Sequence, residues 1–145
     1  MEPFRKSLVA GLALALAATS PQALAAKGPD EATFDKQAGE IFDLLRQGKS
    51  LDVVDASIGR SPLMAGKEAE RQSLAAQIDA ARRVYGPITA VEMVKQTEYG
   101  SMLVKRFYVI QHEKMLTRWE LNFSKLKTGW IVTYIGFEDQ ARSWE

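Results

Sequence analysis

The chain has 145 residues, of which 46% are hydrophobic, 26% charged and 9% aromatic, the proportions of one ordinary folded domain. It is too short for a barrel of eight strand-helix units, which takes about 250 residues. Nineteen Lys and Arg stand against eighteen Asp and Glu, a balance that gives no drive toward nucleic acid or an anionic membrane.

The first segment reads as an address. Arg5 and Lys6 precede a small and apolar run over 8–18, then Thr19-Ser20-Pro21-Gln22 and the small residues Ala23-Leu24-Ala25. Basic start, apolar middle and small residues at the end are the order of a secretory signal peptide. The apolar run is eleven residues, whereas a spanning helix needs about 20. Cleavage after Ala25 leaves 120 residues with 17 basic and 17 acidic side chains. The chain has no cysteine, so it carries neither disulfides nor a thiol to acylate. A periplasmic or secreted protein with no membrane anchor after cleavage is expected, with 1–25 as leader and 26–145 as one domain.

The mature chain begins with helices. After Ala26-Lys27-Gly28-Pro29, Asp30 suits a helix cap and Glu31 the positive helix end. Phe34, Ala38, Ile41, Phe42 and Leu45 then fall on one helical face, and Gly48 supplies a stop. Ser50 opens a short helix carrying Leu51, Val54 and Ile58, and Ser61-Pro62 caps a further turn. A longer helix over about 67–85 carries Leu74, Ile78, Ala81 and Tyr85 and ends at Gly86-Pro87. From Ile88 the period changes to two, predicting strands at 88–98, 102–111, 115–125 and 129–138. In the third, Met115, Thr117, Trp119, Leu121 and Phe123 share one face and Arg118, Glu120, Asn122 and Ser124 the other. Short joins at Tyr99-Gly100-Ser101, His112-Glu113-Lys114 and Lys127-Thr128-Gly129 require an antiparallel meander. The expected fold is therefore α+β: N-terminal helices on one face of a curved four-stranded antiparallel sheet, whose inner surface rests on the helix ending at Tyr85.

The junction Val84-Tyr85-Gly86-Pro87-Ile88, the hairpin at Tyr99-Gly100-Ser101 and the strands Trp119-Glu120-Leu121-Asn122-Phe123 and Gly129-Trp130-Ile131-Val132 carry a resemblance over about residues 30 to 140. The chain resembles a small exported member of the nuclear-transport-factor-2-like superfamily, a cystatin-like α+β cone. That resemblance implies a bent sheet around a long helix, a pocket between them, and dimerisation through the outer sheet face. It also spans isomerases, dehydratases, polyketide cyclases, transport adaptors and exported proteins of no known activity.

Chemistry-bearing residues are few. His112 is the only histidine, which excludes a multi-histidine zinc site, and its neighbours Gln111, Glu113 and Lys114 spell a solvent-facing turn. No Gly-x-Ser-x-Gly elbow or phosphate loop occurs. Asp52 and Asp55 can share a cation, but two carboxylates make a poor calcium cage, and no metal or cofactor is expected. Lys105-Arg106 lies in a strand with bulky groups on both faces, so its register stays open. With Arg106 inward beside Tyr108, the pair suits a carboxylate in an apolar cavity; otherwise Arg106 snorkels at the rim. Trp119, Tyr134, Phe123 and Trp130 line a cleft or form core packing, and Trp144 meets a partner or folds back on its own domain.

The expectation is a noncatalytic exported module. It takes a small apolar or carboxylate-bearing ligand in the cone, held by Arg106, Tyr108, Trp119 and Tyr134, or a protein partner, such as a second copy, through the sheet. The alternative is a cofactor-independent isomerase or dehydratase using Glu92 or Glu98 with Tyr108. A cone filled solid by side chains would exclude the ligand version, and Glu92 on the exposed face would deprive the enzyme of its base.

Overall fold

Phe34, Ala38, Ile41, Phe42 and Leu45 recur at helical intervals, and all five are buried along helix α1, Pro29–Arg46. The computed structural model describes residues 29–144; the leader assigned to 1–25 and the linker after it lie outside the described residues. Pro29 starts α1 with its φ already set for a helix, and Asp30 and Glu31 occupy the first turn, where negative charge meets the positive helix end. Helix α2, Ser50–Ala56, buries Val53 and Val54. Two 3₁₀ turns follow, Ile58–Arg60 and Pro62–Met64, and the Ser61 hydroxyl accepts from the Leu63 amide at 3.3 Å to start the second. Helix α3, Glu68–Tyr85, ends at Gly86, whose φ of 85° lies in the region that favours glycine. Among the described residues, no helix is long and apolar enough to cross a membrane.

Four strands form one curved, unclosed antiparallel meander in the order β1-β2-β3-β4: β1 Ile88–Tyr99, β2 Leu103–His112, β3 Leu116–Leu126 and β4 Gly129–Glu138. The α+β architecture expected from the change of period is the one observed. Thr117, Trp119, Leu121 and Phe123 of β3 are buried on the inner face, while Arg118, Glu120, Asn122 and Ser124 line the outer one. Met115 falls outside the strand and is 40% exposed; its carbonyl accepts the His112 amide at 2.8 Å in the turn between β2 and β3. Register shifts in β1 and between β3 and β4 mark bulges, which bend a sheet.

The helix beneath the sheet is α1, not the one ending at Tyr85. Phe34 meets Phe123 and Trp130 at ring-centroid distances of 4.8 and 4.9 Å, and Phe42 meets Tyr108 at 4.7 Å. Helix α3 buries Ala75 and Ile78, packs mainly on α2, and reaches the sheet at its C-terminal end. The physical reason is stripe width: two phenylalanines with aliphatic neighbours remove more apolar area from water than Ala75 and Ile78. Gln37 Nε2 donates to the Trp130 carbonyl at 2.8 Å, fastening α1 to β4. The turn Ala141–Ser143 returns the C-terminus beside β3 and leaves Trp144 half-buried.

Candidate functional site

Alternate residues of β2 face α1, so Val104, Arg106, Tyr108, Ile110 and His112 are all buried. This settles the register that both bulky faces of the strand left open: Arg106 points inward and is 1% exposed. Its guanidinium carbon lies 5.2 and 5.9 Å from the ring centroids of Phe34 and Phe123. Each guanidinium nitrogen is engaged. Nε donates to Gln96 Oε1 at 2.7 Å, Nη1 to Asp35 Oδ1 at 2.8 Å and to the Tyr108 hydroxyl at 3.5 Å, and Nη2 to Glu31. Gln96 Nε2 in turn donates to the other Glu31 oxygen at 2.7 Å.

A buried cation is costly unless paired, and here two carboxylates one helical turn apart on α1 supply the pairing. Burial acts to lower the Arg106 pKa, but the bonds to Tyr108 and Asp35 and the charge of Glu31 outweigh it and the net shift is upward. Burial pushes the Tyr108 phenol above its ordinary value, so it stays protonated at neutral pH. Arg106 thus works as an internal tie between α1, β1 and β2. Its charge is met within the chain, which removes the motive for assigning it a ligand carboxylate.

The four residues expected to share a ligand site separate into three environments. Arg106 and Tyr108 are neighbours. Trp119 is 2% exposed, stacked on Phe137 at 4.8 Å, with its indole N–H donated to Thr117 at 3.0 Å, so it is core. Tyr134 lies on the outer face, 47% exposed and folded over Gly136, because a bulge between Asn122 and Phe123 sets the parity of β4. It cannot line a cavity with Trp119.

Two further expectations are corrected. His112 is 6% exposed and does not face solvent. Its Nδ1 lies 3.2 Å from the Gly86 carbonyl, which can only accept, so Nδ1 carries the proton; Nε2 then accepts from the Thr117 hydroxyl at 2.9 Å. The ring pins the end of α3 to the sheet, and burial holds its pKa below the ordinary histidine value. Glu92 is exposed, opposite the outward Val109, and Glu98 is exposed at the far end of β1. Neither faces the Tyr108 hydroxyl. Asp55 is taken up by Arg71, whose Nε donates to it at 3.0 Å. Among the described residues no three His, Cys, Asp or Glu are grouped to hold a metal.

Among the described residues the core between the helices and the sheet is closely packed. Between Leu45, Ile78, Tyr85, His112, Trp119 and Phe137 there is a void of only ≈ 10 Å³, at the threshold for one water. Space exists instead in an open cleft of ≈ 350 Å³ between α1 and β1, walled by Ala38, Gly39, Phe42, Val91 and Met93. Arg106 and Tyr108 form its floor, and Asp35 and Arg46 its rim. A cleft of similar size at the other end of α1 is rimmed by Asp30, Glu31 and Glu98 and walled by Phe34 and Trp130.

Gly39 is the informative member. It sits in mid-helix, exposed, where glycine costs roughly 0.5–1 kcal/mol relative to alanine, yet a Cβ there would meet no atom within 4 Å. Packing within the chain does not require it. An isolated glycine inside a helical pattern was the available signal for this cleft. Glu31 and Asp35, spaced one turn apart beside Phe34, were the signal for the pairing of Arg106. Compared with known protein families and with curated proteins, the chain matches none.

Proposed function

We propose that the protein is an exported, noncatalytic binding module, a small relative of the nuclear-transport-factor-2-like cones, that takes a small and largely apolar ligand in the cleft between α1 and β1. The observation that carries this reading is the bare helix surface at Gly39, which opens a cleft with apolar walls and the Tyr108 hydroxyl and Arg106 at its floor. A volume of ≈ 350 Å³ is at the lower end of the range used for small ligands. The closely packed core argues against a ligand within the cone. The alternative of an isomerase or dehydratase finds no support in the exposed Glu92, and the two carboxylates nearest Tyr108 are each paired with a cation rather than placed in apolar surroundings that would hold a proton.

The test uses anilinonaphthalene sulfonate, a fluorophore with an apolar ring system and one anionic sulfonate, with the wild-type protein and a Gly39→Leu variant whose side chain projects into the cleft. Saturable binding to the folded wild type, abolished in a variant that melts no lower, is the expected result. Equal binding by both proteins, or none by either, would remove the cleft as the site. Native mass spectrometry of protein taken from its own host then identifies the natural occupant, and N-terminal sequencing of the same sample checks cleavage after Ala25.

A further inference from the structure

The two edges of the sheet differ. At β4 the backbone is partly covered: Gln37 bonds the Trp130 carbonyl and the turn Ile58–Arg60 packs alongside. Strand β1 pairs with β2 on one side, and among the described residues no strand pairs with its other side. An unpaired edge is a template for another strand. Along it Met93 and Val94 are 46% and 51% exposed; Met93 stands opposite Tyr108 on β2, and Val94 is the bulged residue with no partner in that register.

The sequence around that pair is complementary to its own reverse. In Val91-Glu92-Met93-Val94-Lys95-Gln96, a twofold axis between Met93 and Val94 sets Met93 opposite Val94 of a second copy and Glu92 opposite its Lys95, each contact occurring twice. Both charged side chains lie on the outer face, since Glu92 pairs with Val109 and Lys95 with Phe107 on β2. The bulge between Met93 and Lys95 bends the edge and brings Glu92 and Lys95, three positions apart, onto one face. The Lys95 Nζ lies 5.8 Å from the Phe107 ring centroid and, on an exposed side chain, is within reach of a carboxylate across the edge.

We propose that a second copy of this chain docks antiparallel along β1, joining two four-stranded sheets into one and extending the wall of each α1–β1 cleft. The contact differs from association through the outer sheet face, and it holds whatever occupies the cleft.

Sedimentation of the purified protein over a concentration series tests it with wild type, Glu92→Lys, Lys95→Glu and the double exchange E92K/K95E. Because symmetry doubles each pair, either single reversal is expected to raise the dimer dissociation constant about tenfold or more. The double exchange restores the complementarity and returns the constant toward that of wild type. Both positions are exposed, and circular dichroism verifies that each variant is folded. A wild-type protein still monomeric at about 1 mM overturns the proposal. So does a dimer indifferent to both single reversals, which would sit on another surface. Slow hydrogen exchange at the β1 amides facing away from β2, lost in the single variants, gives an independent readout.

Discussion

The Arg106 tie leads to an ordering of stabilities that contact counting would reverse. Arg106 is 1% exposed, whereas the side chains of its partners Glu31 and Asp35 are 26% and 43% exposed. Deleting the guanidinium therefore leaves two carboxylates that water can reach, while deleting the carboxylates leaves a buried cation that water cannot. In Arg106→Met the replacement side chain fills the space beside Phe34 and Phe123. The loss is then mainly the hydrogen bonds to Gln96 and Tyr108, about 1–2 kcal/mol. In a Glu31→Ala and Asp35→Ala double variant the guanidinium stays charged and buried with no counter-charge, keeping only its bonds to Gln96 and Tyr108, at about 3–5 kcal/mol. Urea denaturation followed by circular dichroism measures both, with equal slopes required for a like-for-like comparison. For a domain of this size, stable by about 5–15 kcal/mol, the double variant should come close to unfolding while Arg106→Met stays folded. If Arg106→Met is the less stable of the two, the guanidinium is hydrated in solution and the reasoning fails. The same Met variant should keep the binding of anilinonaphthalene sulfonate, since the cation is neutralised within the chain.

Three other perturbations test separate parts of the structure. Gly39→Ala should raise stability by roughly 0.5–1 kcal/mol in thermal melts, because nothing lies within 4 Å of the new methyl; a loss would reveal a contact the cleft does not have. At Gly86, φ is 85° and a Cβ would sit 3.0 Å from that of Glu113, so Gly86→Ala should cost about 1–2 kcal/mol, read by denaturant midpoint, and no loss would mean that the turn relaxes freely. His112 has its native pKa lowered from 6.5 by burial, so as pH falls below that value the unfolded chain takes up a proton before the folded one does. Stability is then unaffected by this group at higher pH and declines as pH drops from 6.5 toward the native pKa. A His112→Gln variant should lack that part of the slope in urea midpoints measured across this window, and identical slopes in the two proteins would contradict the burial of the ring.

The buried stripe of α1 and the strict alternation of Thr117, Trp119, Leu121 and Phe123 are local patterns. Period and composition along the chain suffice to read such features, and the α+β layout follows from the shortness of the joins between strands. The features nearest the candidate site depend on residues far apart in sequence. Strand β2 carries bulky side chains at both parities, so local alternation cannot say that Arg106 faces inward; its pairing with Glu31 and Asp35, 75 and 71 positions away, decides it. Tyr134 lost its place beside Trp119 to one extra residue in β4, since a bulge reverses every side chain beyond it. The polar neighbours of His112 describe the turn around it, while the ring itself is held by Gly86 and Thr117 from two other segments. A periodic pattern reports which side of an element is apolar. Which buried charge meets which partner, and where the packed helices and sheet leave a gap, follow from the relative placement of whole elements, which no local window contains.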